Sequence, residues 1–409
     1  MNGPSPPAVR VLLVINRLTE LGGAEGSTAL IVDGLAGRGV EFVVVTLHDL
    51  DLTSRDRLEA RGVRFVESGP GFPAQLRCVL REIRRQRPDI IHSTLFDADV
   101  VACIAGLLAG VPVVRSIVST QYGSEAAGAA RSRARLEVAR LVDRALARYA
   151  TFRFHAISRA AADAAERALG IVDDHVVLVP RGRDLAALGE RTPERCRRVR
   201  AELDLADDVP VLINVARHDA QKGQVLLLEA FARVVTGHPN AVLLVAGREG
   251  PCTPDLRAAI DRLGLGARVR LLGVRSDVAD LLCAADVFVF SSLWEGLGGA
   301  VLEAMAMEVP VVTFDVPAVA EALDGTGVLV PIRDTAALAT AIDALLADPD
   351  RRNDLARRAR RSFDARFTIT VYLEGMKDLY VAVANAAHSE YHDPLRPLRR
   401  RSGRSTRGR

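Results

Sequence analysis

Along the 409 residues, short runs that are apolar at every position and rich in β-branched side chains alternate with longer stretches whose apolar positions recur every three to four residues. A strand apolar on both faces is covered on both faces, and the longer period belongs to helices. The alternation therefore predicts parallel sheets flanked by helices. In the first half, strands are predicted at VRVLLVIN (9–16), VEFVVVTL (40–47), DIIHS (89–93), VPVVRSI (111–117), FRFHAIS (152–158) and VVLVPRG (176–182). A charged helix from 192 to about 206 then acts as a connector or as the first helix of a second unit. The alternation begins again with VPVLINVA, AVLLVAG, VRLLG, ADVFVFSS, VPVVTFD and GVLVP.

The pattern implies an α/β protein of two Rossmann-like, doubly wound domains facing across a cleft. The expected divisions are a first domain over 1–188, a second over 189–366, a helix over 367–392 packing back towards the first domain, and a tail over 393–409. Ligands of such sheets bind at the carboxyl ends of the strands, so the cleft is the place to look for chemistry.

Length agrees with two domains, since 409 residues exceed what one core supports, and 49% hydrophobic residues suffice for two. The net charge of +3 conceals an arginine block in the last stretch, PLRPLRRRSGRSTRGR. Outside it the balance is near neutral, which gives no support to a nucleic-acid-binding body. The tail itself reads either as an electrostatic anchor to anionic lipid or as a solvated extension. The five cysteines, Cys78, Cys103, Cys196, Cys252 and Cys283, have no short paired spacing, so neither a zinc ribbon nor a disulfide framework is indicated. The first apolar run is too short for a signal peptide, and the longest, 100–114, contains Gly110 and Pro112 and is too short to span a bilayer. A cytoplasmic protein is expected. Only two lysines occur, Lys222 and Lys377, against a large excess of arginine, and the arginine and alanine content suggests a GC-rich bacterial genome.

Three segments carry candidate chemistry. Gly22 and Gly23 follow the first strand and open a helix, where bare backbone N–H groups and the helix dipole favour an anion; turn geometry alone also accounts for such glycines, and GxGxxG is not met. Arg217 and Lys222 lie beyond the first strand of the second half, beside another helix start, and two such cations suit a diphosphate leaving group or are plain surface charges. In SSLWEGLGGAVLEAMAMEVPVV (291–312), Glu295 sits at a strand's carboxyl end and Glu303 about one turn into the next helix. Gly296, Gly298 and Gly299 leave room for a ligand to touch backbone around Leu297. A carboxylate at Glu303 can accept two ribose hydroxyls; its other role is to favour the helix start through the dipole, worth about 0.3–1 kcal/mol.

These residues resemble the retaining glycosyltransferases of family four, which have the two-Rossmann, B-type fold. The resemblance runs over nearly the whole chain, from GGAE (22–25) through PDIIH (88–92), NVARHDAQKG, VAGREG and EGLGGAVLE to GVLVP. Its most specific element is the pair of glutamates separated by seven residues, matched by Glu295 and Glu303. The resemblance implies that Gly22 and Gly23 approach the donor phosphate or the acceptor, that Arg217 and Lys222 hold the diphosphate, that Glu303 binds the nucleotide ribose and that Glu295 contacts the donor sugar. Backbone at Val274 and Arg275 would receive the base. His92 matches a histidine at a strand end facing the cleft, or is a core-edge histidine with its hydrogen bonds met. Neither a metal nor another cofactor is implied; the co-substrate is a nucleotide-sugar, of UDP or GDP first, and the acceptor a hydroxyl on a lipid-linked molecule, a glycan or a natural product.

The chain also departs from the family pattern. Gln121 and Tyr122 follow IVST where many members carry a second histidine, Arg181, Gly182, Arg183 and Asp184 replace Asn-Gly-Val-Asp, and Glu308 replaces a glycine before VPVV. The first two departures touch the acceptor side. Other readings are a sugar-nucleotide epimerase or phosphorylase of the same fold, and a non-catalytic nucleotide-sugar-binding protein. A pyridoxal phosphorylase needs a cofactor lysine, and Lys377, in the last helix, is poorly placed for it.

Overall fold

A computed structural model describes residues 8–19, 23–120 and 133–390. Gly22, Gln121, Tyr122 and the basic stretch from 393 onward lie outside the described residues.

The first domain is a seven-stranded parallel sheet in the order β5-β3-β1-β6-β7-β8-β9. Its members are β1 (Val9–Ile15), β3 (Val40–Thr46), β5 (Arg64–Glu67), β6 (Ile90–Thr94), β7 (Val113–Ile117), β8 (Arg153–Ala156) and β9 (Val176–Leu178). Two short strands, β2 (Leu18–Thr19) and β4 (Leu50–Asp51), pair beside it. The second domain is a six-stranded parallel sheet, β12-β11-β10-β13-β14-β15, built from β10 (Val211–Val215), β11 (Val242–Ala246), β12 (Val269–Gly273), β13 (Val287–Phe290), β14 (Val311–Phe314) and β15 (Val328–Val330). In both sheets the central strands are buried on both faces: Leu12, Leu13, Val14 and Ile15 of β1, and all of β13, have almost no exposure. Runs with no polar face are thus the sequence expression of two-sided cover.

Both sheets reverse their direction of growth beside their first strand, between β1 and β6 and between β10 and β13. At such a switch point the loops leaving two adjacent strands diverge and open a crevice. The residues after β1 and β6, and those after β10 and β13, therefore line the two sides of one cleft.

The chain crosses between the domains twice, and the crossings lie side by side. Arg183 N donates to Phe367 O at 2.8 Å, and Ile369 N donates to Arg183 O at 2.9 Å. Leu185 and Leu188, beyond Arg183, pack on the second core, so we place the first crossing at 182–183, ahead of position 188. After Phe367 the helix Ile369–Glu390 returns to the first sheet, burying Tyr372, Met376, Tyr380 and Val383 with Val11, Leu13 and Val44. Leu373 of that helix lies against Gly34, where a Cβ would push the leucine side chain aside. No described helix is long and apolar enough to cross a membrane.

Candidate active site

The second-domain wall is made by two loops locked together. After β10 the chain forms a short turn, Ala220–Lys222, capped by Asp219, whose carboxylate accepts from Gln221 N. Leu293 N donates to Gln221 O at 2.8 Å, Gln221 Nε2 to Trp294 O at 2.6 Å, and Ser291 Oγ to Lys222 O at 2.8 Å. These bonds tie the loop after β10 to the loop after β13. Gly223 permits the approach: its φ is +57°, and a Cβ there would strike the Ser291 carbonyl. The tied loops bring Lys222 Nζ onto Glu295 Oε1 as an ion pair, both side chains mostly shielded. Lys222 also lies over the Phe290 ring at 5.8 Å.

The helix Gly299–Ala306 starts after Gly298, whose φ is +88°. It places Glu303 one turn in, as the spacing predicts. Glu303 Oε1 accepts from Arg183 Nε at 2.7 Å, so the carboxylate expected to take ribose hydroxyls is held by an arginine of the domain crossing. Arg217 is exposed just beyond β10. Its neighbour His218 is buried and fixes the loop base, with Nδ1 at 2.9 Å from Thr253 Oγ1.

The first domain meets this wall at the Glu295–Gly296 turn. Thr120 Oγ1 donates to Glu295 O at 3.3 Å and Ser158 Oγ to Gly296 O at 2.6 Å. Ser158 also caps the helix Arg159–Leu169, and Glu321 of the second domain accepts from Arg159 N and Ala160 N at 2.8 and 2.9 Å. A carboxylate from one domain thus sits on a helix N-terminus of the other, a charge arrangement the dipole favours. Beside this contact lies a cavity of about 900 Å³ lined by Thr120, Arg159, Asp163, Trp294, Glu295 and Glu321 among others. On the opposite wall, Asn16 ties the loops after β1 and β6: its Oδ1 accepts from Ala98 N at 3.1 Å and its Nδ2 donates to Asp97 at 3.2 Å. Gly23 stands at the start of the helix Ala24–Leu35 on that wall.

One expected site residue, His92, is elsewhere. His92 lies in the middle of β6 with no exposure, not at a strand end in the cleft. It belongs to a hydrogen-bonded chain: Tyr380 Oη to His92 Nδ1 is 2.7 Å, His92 Nε2 to Ser116 Oγ 2.8 Å, Ser116 Oγ to His155 Nδ1 2.9 Å, and His155 Nε2 to Val179 O 2.9 Å. A carbonyl only accepts, so His155 carries its hydrogen on Nε2 and every other direction follows. Tyr380 donates to His92, His92 to Ser116, Ser116 to His155, and His155 to Val179. Burial holds both rings neutral, with pKa values lowered to about 3 for His92 and about 4 for His155. The chain knits β6, β7, β8 and the returning helix, and it leaves His92 no nitrogen for a substrate.

Gly296 is needed for the neighbouring domain, because a Cβ there would run into the Val118 carbonyl. Leu297 is a core residue at 4% exposure. The space above Gly299 is filled by the Arg183 guanidinium. Val274 is exposed after β12, and Arg275 pairs with Asp277. The arginines at 181 and 183, Ser158 and Glu321 also converge on the cleft; the sequence marks only the first two, as departures from Asn-Gly-Val-Asp. Among the described residues, no cluster of His, Cys, Asp or Glu is suited to a metal ion.

Two family models match the chain, one over each domain: "Glycosyltransferase Family 4" over residues 21–187 and "Glycosyl transferases group 1" over residues 197–362. The chain belongs to these glycosyltransferases. Among relatives, this glycosyltransferase is 28% identical to the alpha-D-kanosaminyltransferase of Streptomyces kanamyceticus, across 86% of this chain and 97% of that protein. It is 26% identical to the UDP-Gal:alpha-D-GlcNAc-diphosphoundecaprenol alpha-1,3-galactosyltransferase of Escherichia coli, across 73% and 76% of the two chains. Its fold superposes on Anabaena HepE in complex with UDP and glucose with a TM-score of 0.77, at 23% identity, covering 91% of this chain and 99% of that one. The epimerase, phosphorylase and binding-protein readings are not favoured by these matches.

Proposed function

We propose that this glycosyltransferase transfers a sugar from a nucleoside diphosphate donor, UDP-linked in the first instance, to an acceptor hydroxyl with retention of anomeric configuration. The observation that carries the proposal is the single wall formed by Lys222, Glu295 and Glu303 at the β10/β13 switch point, where the family motif and the fold geometry coincide. HepE in complex with UDP and glucose, and a relative named for UDP-Gal, support the choice of UDP.

In this reading the donor lies mainly on residues 189–366 and the acceptor mainly on residues 1–188, entering by the cavity beside Glu295 and Trp294. The acceptor oxygen attacks the anomeric carbon on the face from which the diphosphate departs. The bond from that carbon to the phosphate oxygen breaks, and the acceptor proton passes to the leaving phosphate. Arg217 and Lys222 stabilise the charge that develops there. Glu295 releases Lys222 to the diphosphate and meets the sugar, while Glu303 takes the ribose hydroxyls. The base rests on backbone near Val274 and Arg275. Domain closure about the paired crossings at Arg183 and Thr368 excludes water.

Incubation with UDP- and GDP-sugars and a panel of lipid-linked, glycan and natural-product acceptors, followed by proton NMR of the product, tests the proposal. An axial anomeric linkage from an axially linked donor is the expected result. An inverted linkage would overturn the stereochemical reading.

A further inference from the structure

The two arginines that depart from the family pattern stand on either side of Gly182, on backbone that cannot shift easily. Arg183 is bonded through both N and O to Phe367 and Ile369, and a Cβ on Gly182 would meet the Thr368 carbonyl. From this fixed segment the side chains diverge. Arg183 turns to the second domain and finds Glu303. Arg181 turns to the first domain, with Nη1 3.7 Å from where a side chain on Gly23 would begin.

Among the described residues Arg181 differs from Arg200 and Arg115 in having no hydrogen-bonded or ion-paired partner. Arg200 is met by three backbone carbonyls and Asp286, and Arg115 by Asp99 and Asp143. The Arg181 Nε is buried without a hydrogen-bond partner, and the guanidinium forms no ion pair among the described residues. Burial draws the Arg181 pKa down to about 10; the Tyr372 hydroxyl opposes this most, Arg183 adds to it, and Glu25 and Glu295 act more weakly. A desolvated charge without a partner is unfavourable unless a ligand completes it. Here the unpaired fork faces the amino end of the twelve-residue helix Ala24–Leu35, which also favours an anion.

We propose that Arg181 is a receptor for a substrate phosphate, taking an oxyanion of the donor diphosphate or of a phosphate group on the acceptor jointly with the Gly23 end of the helix. The proposal rests on the glycosyltransferase reading above and adds a third cation to Arg217 and Lys222. Because Arg181 sits on the domain crossing and Gly23 on the first domain, a phosphate held between them also links substrate binding to closure.

The test uses the full chain as wild type, Arg181→Lys and Arg181→Met. Calorimetric titration with UDP reads the donor source; titration of UDP-saturated protein with inorganic phosphate reads the acceptor source; melting of the ligand-free proteins reads stability. The Met variant is expected to lose about tenfold or more in affinity in one of the two titrations, the size of a charged hydrogen bond removed, and the Lys variant less. Its ligand-free melting temperature should equal or exceed that of the wild type, since an unpaired charge has been removed. A loss confined to UDP assigns the donor diphosphate, and a loss confined to phosphate assigns the acceptor. Both affinities within twofold of wild type would overturn the proposal, as would a fall in melting temperature with unchanged binding. Wild-type protein that binds UDP alongside a Met variant unaffected in both titrations defeats this inference alone; wild-type protein that binds neither UDP nor GDP defeats the glycosyltransferase donor reading with it.

Discussion

The relay from Tyr380 to Val179 makes the first domain acid-labile in a calculable way. His92 and His155 each give both ring nitrogens to fixed partners in one neutral tautomer, and protonation of either would place a second donor against a donor. Their folded pKa values, about 3 and about 4, lie below the unfolded value of 6.5. The stabilising contribution is therefore fully present above pH 6.5 and is lost as pH falls below it, because the unfolded chain takes up protons that the folded chain refuses. At pH 5 the gap to 6.5 is about 1.5 units for each ring, or about 2 kcal/mol each and about 4 kcal/mol for the pair. That figure depends only on both folded values lying below 5. Urea unfolding followed by circular dichroism at pH 7.5 and 5.0 measures the loss. His155→Gln should lose about 2 kcal/mol less than the wild type between these pH values. Contributions from carboxylates, including the buried Asp99, whose pKa burial raises, cancel in the difference. Equal losses in the two proteins, or a resonance assigned to His92 or His155 titrating near pH 6.5 in the folded wild type, would refute the reasoning.

Three further outcomes follow from single contacts. Tyr380→Phe leaves His92 Nδ1 buried without a donor and should cost about 1–3 kcal/mol in urea unfolding; no loss would remove the relay's first link. Gly296→Ala drives a methyl into the Val118 carbonyl and should hold the domains apart, raising the radius of gyration in small-angle scattering, whereas an unchanged profile would show that this contact does not set closure. Glu308, where the family has glycine, has a φ of +53°. Glu308→Gly should stabilise the chain by about 0.5–1 kcal/mol in the same unfolding assay, and a net loss would mean that its pairing with Arg360 outweighs the backbone strain.

Strands were legible wherever both faces are covered. All six strands of the second sheet lie within their apolar runs, because two-sided burial leaves no polar position to blur the pattern. In the first sheet β5, RFVE, escaped: an edge strand with both ends exposed carries too short an apolar run to stand out. The reading VVLVPRG overran β9, which ends at Leu178. The paired glutamates and Lys222 were legible because their positions follow from local spacing, a strand end plus one helical turn. The role of His92 was not, since its partners Tyr380 and Ser116 come from 288 and 24 residues away and no local pattern encodes them. Gly296 shows the same limit from the other side. A glycine kept for a ligand and one kept for a neighbouring domain's carbonyl look alike in sequence.

The central claim is that the wall of Lys222, Glu295 and Glu303 holds a nucleotide-sugar. Thermal melting of the wild type and of Glu303→Ala with UDP-, GDP-, ADP- and dTDP-sugars tests it most directly. Ligand at about 100 times its dissociation constant adds about 2.7 kcal/mol. The account predicts stabilisation of the wild type by one nucleotide class, UDP first, that disappears in Glu303→Ala. Stabilisation of equal size in both proteins, or none in the wild type with any of the four, would contradict it.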